Sequence, residues 1–391
     1  MKIIAIHLHN DRSGSTIVFR QSLEALSDKS VQIHLITNRT KDNTQGFLTG
    51  IPGVEYHYIN YTERGDKWRT LFSFLLAQLL IFVKIMKLYE PEDKVYINTL
   101  QPFGAALAGR LKQAPIIYHI HETAVQPAML RGFMTKTARR YATHVVFASR
   151  FVQSQFAFPM SEKHVVHSCL PESFLHDAII NANRGVRKTA LMVADLDREN
   201  GVPELLELAA VMPRMKFELV LNATNTEIKR YMSPFFIPDN VTVFDAQLDM
   251  HPFYQRAVVV LNLSQSHLEQ ETFDISILQA MSYGRPVIVP LAGGANELVA
   301  HGWNGYRISG HYIEQVRRHV EQLLSNKPLY ADMSCAAQLV ASQFKPQLFR
   351  QQVEDIFLED DLLTPTKKQE FHSEVLLYPA ALQEYINSVM N

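Results

Sequence analysis

The run Lys2-Ile3-Ile4-Ala5-Ile6-His7-Leu8 gives way at Asn10-Asp11-Arg12-Ser13-Gly14-Ser15 to a polar loop, and a stretch with helical spacing, Ser15 to Leu26, follows. An apolar strand without alternation suits a sheet buried on both faces, which means a parallel sheet covered by helices. The alternation continues through strand-like runs at Val31–Ile36, Val54–Ile59, Val95–Asn98, Ile116–Ile120 and His144–Ala148. Strand and helix in strict succession require crossover connections and a doubly wound sheet. The pattern restarts at Thr189–Asp195 and runs on through Phe217–Asn222, Val241–Phe244, Val258–Leu263 and Pro286–Pro290. The expected fold class is therefore α/β, with two Rossmann-like doubly wound parallel-sheet domains at residues 1–170 and 189–343. Residues 171–188, where Pro171, Asn181, Asn183 and Gly185 interrupt any period, are expected to be the linker. Residues 344–391 are expected to add C-terminal helices and a tail, part of it packing back on the N-terminal domain. Open sheets bind ligands beyond the carboxyl ends of their strands, so two sheets facing each other share one central cleft.

Composition narrows the classes. With 391 residues, 47% hydrophobic and 20% charged, the chain is neither disordered nor fibrous. Two cysteines, Cys169 and Cys335, give neither a disulfide framework nor a C-x-x-C metal site and fit a reducing compartment. The apolar start is shorter than the ~7 to 15 residues of a signal-peptide core, so a cytoplasmic protein is expected.

The net charge of -1 hides an asymmetry: residues 1–170 hold 20 Lys and Arg against 12 Asp and Glu, the remainder 18 against 27. A basic N-terminal half suits an anionic partner. No motif for nucleic acid accompanies it, so the inner face of the plasma membrane is the expected surface, with peripheral attachment. The apolar run Leu71 to Val83 has 13 residues, short of the ~20 a bilayer span needs, and Lys67, Arg69, Lys84 and Lys87 flank it. Arg131, Lys136, Arg139 and Arg140 interleave with Phe133, Met134 and Tyr141. Both stretches suit interfacial contact, the first also a buried helix and the second a solvated one.

The chemistry concentrates in Glu271-Thr272-Phe273-Asp274-Ile275-Ser276, Gln279-Ala280-Met281, Gly284-Arg285-Pro286-Val287, Gly293-Gly294 and Glu297. Asp274 and Ser276 precede an amphipathic run, so backbone N–H groups at Phe273, Asp274, Ile275 and Ser276 are expected to open a helix and favour a phosphate. Glu271 would then lie beside that anion, where a carboxylate can accept from two sugar hydroxyls. The plainer reading of Glu271 is a helix cap. His121 ends a strand, with Glu122 after it; Gly14 allows close backbone approach in the first loop. Asn98-Thr99, after another strand, is a weaker candidate of the same kind.

These residues resemble the retaining family 4 glycosyltransferases of the GT-B fold, whose pattern runs Glu, a Phe-Gly turn, a second Glu eight positions on, Ala-Met, Gly-x-Pro-Val, Gly-Gly and a later Glu. The likeness covers roughly residues 1–358, with Asn10 to Ser15 at the first glycine loop and His121-Glu122 at the His-acid pair. It implies transfer of a hexose from a nucleotide-sugar donor to a lipid-linked or growing bacterial glycan with retention, as in polysaccharide, lipopolysaccharide or O-antigen synthesis. It also implies no cofactor and no metal, with Glu271 and His121 at the donor sugar.

Two departures matter. Gln279 replaces the second Glu, which in the family binds the ribose, and loses the charge-assisted part of that contact, about 1 kcal/mol. The family's diphosphate clamp, Gly-Arg-Leu-x-x-x-Lys-Gly, is Ala194-Asp195-Leu196-Asp197-Arg198-Glu199-Asn200-Gly201, with both cations gone. Arg198 and Arg12 are the substitutes the sequence offers. The losses keep open a non-catalytic GT-B protein binding glycan or a partner enzyme, and more distantly an epimerase. A dinucleotide oxidoreductase is disfavoured, since Leu8 to Ser15 has one glycine where G-x-G-x-x-G needs three.

Overall fold

Seven strands build the first sheet, and burial explains why its five inner strands read as largely apolar runs. In chain order the elements are β1 (Lys2–His7), α1 (Gly14–Ser27), β2 (Gln32–Asn38), β3 (Val54–Ile59), α2 (Lys67–Leu88), β4 (Lys94–Asn98), α3 (Phe103–Leu111), β5 (Ile116–Ile120), α4 (Arg131–Tyr141), β6 (His144–Phe147), α5 (Arg150–Ser154) and β7 (Glu162–Val165). The computed structural model describes residues 1–11, 13–29, 31–39, 46–62, 67–122, 130–181, 188–196, 200–264 and 273–358. All pairings are parallel and the order is β3-β2-β1-β4-β5-β6-β7, so the winding reverses between β1 and β4. Ile4, Ile6, Val95, Ile97, Ile116 and Tyr118 point to one face and pack with Phe74 and Ile81 of α2, Ala105 of α3 and Met134 of α4. Each large apolar side chain so buried contributes ~1.5 to 3 kcal/mol.

The second half repeats the plan. After α6 (Glu172–Asn181) come β8 (Thr189–Ala194), α7 (Val202–Val211), β9 (Lys216–Leu221), α8 (Asn225–Met232), β10 (Val241–Phe244), α9 (His251–Arg256), β11 (Val259–Leu261), α10 (Ile275–Ser282), β12 (Val287–Val289), a 3-10 turn at Gly294–Glu297 and β13 (Gly305–Arg307). The sheet order is β10-β9-β8-β11-β12-β13, again parallel, with its reversal between β8 and β11. Helices α11 (Ile313–Ser325) and α12 (Lys327–Ala341) complete this half, and α13 (Pro346–Leu358) returns to the first. There Phe357 meets Tyr96 at 4.5 Å between ring centres, and Lys94 Nζ donates to the Phe357 carbonyl at 2.8 Å.

Three differences from the sequence expectation have physical reasons. Strands β7 and β13, reading Glu-Lys-His-Val and Gly-Tyr-Arg, are edge strands too short and polar to show a period. The segment 171–188 carries α6, whose Phe174 and Ala178 are buried in the second half's core. Helix α2 exceeds the 13-residue apolar run. Trp68–Leu88 is long and apolar enough, by length and composition, to cross a membrane. Phe74, Ala77, Gln78, Ile81 and Ile85 are nevertheless buried, and Gln78 Oε1 accepts from the Gly104 N–H at 2.9 Å, which seats the helix on the domain.

Candidate active site

The reversal points put β1 beside β4 and β8 beside β11, so the site begins at the carboxyl ends of those strands. His7 closes β1, Asn98 closes β4 and His121 follows β5; all three are buried. The Asn98 amide settles its own orientation: its Nδ2 lies 3.3 Å from the Ser15 carbonyl oxygen, which can only accept. Asn98 Oδ1 therefore accepts from His121 Nε2 at 2.8 Å, and its Nδ2 donates to His7 Nδ1 at 3.2 Å. His7 Nε2 must then donate to Thr16 Oγ1 at 2.9 Å, and that hydroxyl donates to Asp11 Oδ1 at 3.2 Å. One direction runs through five side chains and ends on a carboxylate. His121 is left as the tautomer with its lone pair on Nδ1.

Burial keeps the histidines of this network neutral. It holds His7, aided by His9 and His121, down to about 3, and holds His119, stacked beside the site, at about 3. His121 is pushed well below the ordinary imidazole range by burial first and by His119 second, the two rings lying 4.1 Å apart. Glu122 is raised by burial, opposed by backbone donors; its Oε1 takes the Leu100 N–H at 2.5 Å and pins the turn after β4. In that turn Thr99 adopts a φ of 69°, rare for a β-branched residue. Its buried hydroxyl has no partner among the described residues. The sequence marked Asn98-Thr99 as one candidate; the fold separates them, with the amide committed to the network and the hydroxyl presented by a strained backbone. Gly14 is the first residue of α1, and a Cβ there would meet nothing within 4 Å, so the space before that helix is open.

The second half's mouth is chemically different. Asp274 is the buried N-cap of α10: its Oδ1 accepts from the Ile277 N–H at 3.1 Å and from Ser276 Oγ at 2.6 Å. Its Oδ2 accepts from Asn262 Nδ2 at 2.8 Å, just beyond β11. A carboxylate at the cap already offsets the helix dipole, so the anion cradle expected at Phe273, Asp274, Ile275 and Ser276 holds one negative charge of its own. Phe273 packs its ring between His167, at 5.4 Å, and Phe344, at 5.8 Å. The Gln279 carbonyl accepts from the buried Tyr254 hydroxyl at 2.9 Å, so the oxygen expected at a ribose already has a donor.

At the clamp positions, Asn222 Nδ2 donates to Asp195 Oδ1 at 3.0 Å and Asn200 Nδ2 reaches the Asp195 carbonyl at 3.5 Å. Gly201, at a φ of 81°, caps α7, and a Cβ there would lie 2.4 Å from the Leu263 carbonyl carbon, so only glycine lets this loop approach β11. Arg230, which sequence reasoning passed over, lines a depression with Leu196 and Tyr231 beside this loop. Glu271, Arg12 and Arg198 lie outside the described residues.

Glu297 joins the halves. Its carboxylate accepts from the backbone N–H groups of Arg150, at 3.1 Å, and Phe151, at 2.6 Å, at the start of α5, and from His167 Nε2 at 2.8 Å. The turn after β12 thus touches the turn after β6, and both carboxyl edges open on one crevice. The sequence named Glu297 only as the end of a motif; its helix-capping role needed the partner domain.

Two Rossmann-like sheets opening on a shared crevice define a GT-B protein. Residues 177–340 match the family described as Glycosyl transferases group 1. An uncharacterized glycosyltransferase of Haemophilus influenzae is 25% identical over 163 residues, 40% of this chain and 45% of that protein. The chain thus aligns with less than half the length of this curated relative. HepE from Anabaena, solved in complex with UDP, superposes with a TM-score of 0.72 at 18% identity over 92% of this chain and 100% of that one. Sucrose-phosphate synthase from Thermosynechococcus elongatus gives 0.71 at 17% identity, covering 92% and 98%. The chain therefore has the GT-B fold, and its second half is similar to the glycosyl transferases group 1.

Proposed function

We propose that the chain is a glycosyltransferase that moves a hexose from a nucleotide-sugar to a lipid-linked or growing bacterial glycan, with retention at the anomeric carbon and no metal or cofactor. One observation carries the reading: a neutral His121, its tautomer fixed through Asn98, stands at the carboxyl edge of a GT-B sheet where a hexose hydroxyl can donate to its Nδ1. A preset acceptor at that point orients a sugar without reorganisation. Solved relatives hold UDP or UDP-glucose, which supports a nucleotide-sugar partner. Calorimetric titration with UDP, GDP and dTDP, followed by donor hydrolysis assays, tests the reading. Saturable binding and turnover that falls at least tenfold in Glu271→Gln and in His121→Ala are expected.

The Asp274 cap favours a second reading, a GT-B protein that binds glycan or a partner enzyme without catalysis. It predicts no saturable binding of any nucleoside diphosphate at millimolar concentration.

The membrane reading rests on α2, where Trp68 is 72%, Phe72 70% and Leu79 57% exposed, with Leu75, Leu76, Leu80 and Val83 also on the surface. Basic Arg69 and Lys87 on α2, and Arg131, Arg139 and Arg140 on α4 with exposed Phe133, supply the charge for an anionic cytoplasmic leaflet. Trp68 is one of two tryptophans. Its emission should shift to the blue on vesicles containing acidic lipid, and the shift should weaken as salt rises; an equal shift on neutral vesicles refutes the electrostatic part.

A further inference from the structure

Strand pairing assembles two side-chain clusters that no single stretch of sequence shows. At one edge of the first sheet, His34 of β2 lies in register with Glu55 of β3, and His57 follows Glu55 on the same face. At the other edge, His144 of β6 lies in register with Glu162 of β7, and His164 follows Glu162. Each edge strand therefore reads Glu-x-His, and its neighbour sets a histidine opposite the glutamate. The clusters sit toward the amino ends of these strands, away from the crevice.

The distances are of the size that a bound metal requires. In the first cluster His34 Nδ1 lies 3.0 Å from His57 Nε2, and the Glu55 oxygens lie 3.7 and 3.3 Å from those nitrogens. In the second, the corresponding separations are 3.3, 3.7 and 3.7 Å. A tetrahedral ion with nitrogen and oxygen ligands at about 2.0 to 2.1 Å has ligand-to-ligand edges of about 3.3 to 3.4 Å. Each separation falls within about 0.4 Å of that value, but each glutamate meets its two nitrogens through different oxygens. With one oxygen per carboxylate the ligand atoms lie within 4.8 Å of one another, so a turn of the carboxylate completes the triangle.

We propose that each edge of the N-terminal sheet is a binding site for a divalent cation of borderline softness, such as zinc, held by two imidazole nitrogens and one carboxylate oxygen. The donor set favours zinc, cobalt or nickel over magnesium and calcium, which take oxygen ligands. His34 and His144 are buried and His57 and His164 half-buried, while Glu55 and Glu162 are 57% and 59% exposed, so the ion enters from solvent past the carboxylate and keeps water as its fourth ligand. In the free protein the ring planes of each pair are nearly parallel, 9° and 17° apart, and the rings share one hydrogen bond. Binding replaces that bond through a change of tautomer and a small turn of the rings. Burial holds His144 and His164 near about 4, so both are neutral ligands at neutral pH. Lys84 of α2 faces His57 and Lys94 of β4 faces His144; both weaken the hold on a cation without occupying the ligand atoms. The ion clips each edge strand to its neighbour.

Equilibrium dialysis of the chelator-treated full chain against zinc tests this. The wild type should bind two equivalents, Glu55→Gln with His57→Ala should remove one, and Glu162→Gln with His164→Ala should remove the other. Zinc should raise the melting temperature of the wild type, magnesium should not, and the combined variant should lose the shift. The single Glu55→Gln and Glu162→Gln changes touch exposed carboxylates and keep the test open if the histidine variants fail to fold; each should weaken its own site at least tenfold. Fewer than two equivalents in the wild type, or two retained in the combined variant, would overturn the proposal.

Discussion

The two strand-end mouths that flank the crevice differ in how they satisfy their polar groups. At β1 and β4 the groups from His121 to Thr16 are buried, neutral and paired in one direction, and the run ends on the exposed carboxylate of Asp11. At β8 and β11 they are more charged: Asp195 is exposed, and Asp274 fills the start of the helix that the sequence reading assigns to a phosphate. Under the proposed function, the first mouth is the one that suits an uncharged, hydroxyl-rich group. The second needs an added cation before a diphosphate can settle. Two like unit charges 4 Å apart repel by about 4 kcal/mol at a protein-surface dielectric, more than most single hydrogen bonds return.

Acid should break this contrast most forcefully. The sign follows from the shifts: below the ordinary imidazole value of 6.5 the unfolded chain takes up protons, while folded His7 and His119 do not until about 3. Stability is therefore full above pH 6.5 and lost as pH falls toward 3. Each such group alone accounts for roughly 3 kcal/mol by pH 4, and two together rival the whole stability of a typical domain. In the second half His301 and His319 are shifted down by burial, but both are partly exposed and carry less. Hydrogen exchange between pH 6.5 and 4 should show the first half losing protection before the second; simultaneous loss would remove the distinction.

A smaller test removes the hub. Asn98→Leu keeps volume but strips partners from His121, His7 and Ser15, and each orphaned buried group costs ~1 to 3 kcal/mol, so a loss of about 4 kcal/mol in urea unfolding is expected. Asp195→Ala, at the exposed equivalent, should change stability by no more than about 0.5 kcal/mol. Similar losses would mean that the mouths do not differ in rigidity.

How much of this the sequence showed follows the same division. Buried strands such as Ile116–Ile120 were legible to the residue because burial on both faces leaves little choice of side chain, and the edge strand Val54–Ile59 was legible from its β-branched and aromatic residues. The edge strands β7 and β13 were not, since pairing on one side only lets Glu162 and Gly305 stand where a core strand would forbid them. Among site residues, His121 was visible as a histidine at a strand end. Its neutrality and tautomer were not, because they depend on Ser15 and His7, which are 106 and 114 positions away. The Asp274 cap was half legible: the residue type and its place before a helix were plain, but the competing phosphate reading looked equally good without Asn262 in view.

Asp274→Asn sharpens the charge argument directly. Asn caps a helix about as well as Asp, but its amide nitrogen would face the Asn262 amide donor, so a loss of about 1 to 3 kcal/mol is expected. Removing the carboxylate should tighten a nucleoside diphosphate by ~1 to 2 kcal/mol, a gain of roughly 5- to 30-fold measured by calorimetry. Unchanged affinity would place the diphosphate away from α10.

The smallest effect belongs to Gln279→Glu. In the native chain the Tyr254 hydroxyl donates to Gln279 at 2.9 Å, and burial first, then the charge on Asp274, keeps that phenol protonated. A glutamate would keep the same donor, strengthen the bond by making it charge-assisted, and leave its second oxygen to accept from a ribose hydroxyl. Against this stands repulsion from Asp274, whose charge also reaches the Tyr254 hydroxyl that Gln279 binds, and which offsets part of the gain. The expected result is a nucleotide bound about 1 kcal/mol more tightly, close to fivefold, with stability lowered slightly. The gain should grow when Asp274→Asn is present, because the repulsion then disappears. That non-additivity is the decisive reading, since residues sharing one charge environment couple and distant ones do not. Additive effects would separate Gln279 from the nucleotide and leave the second mouth defined by Asp274 alone.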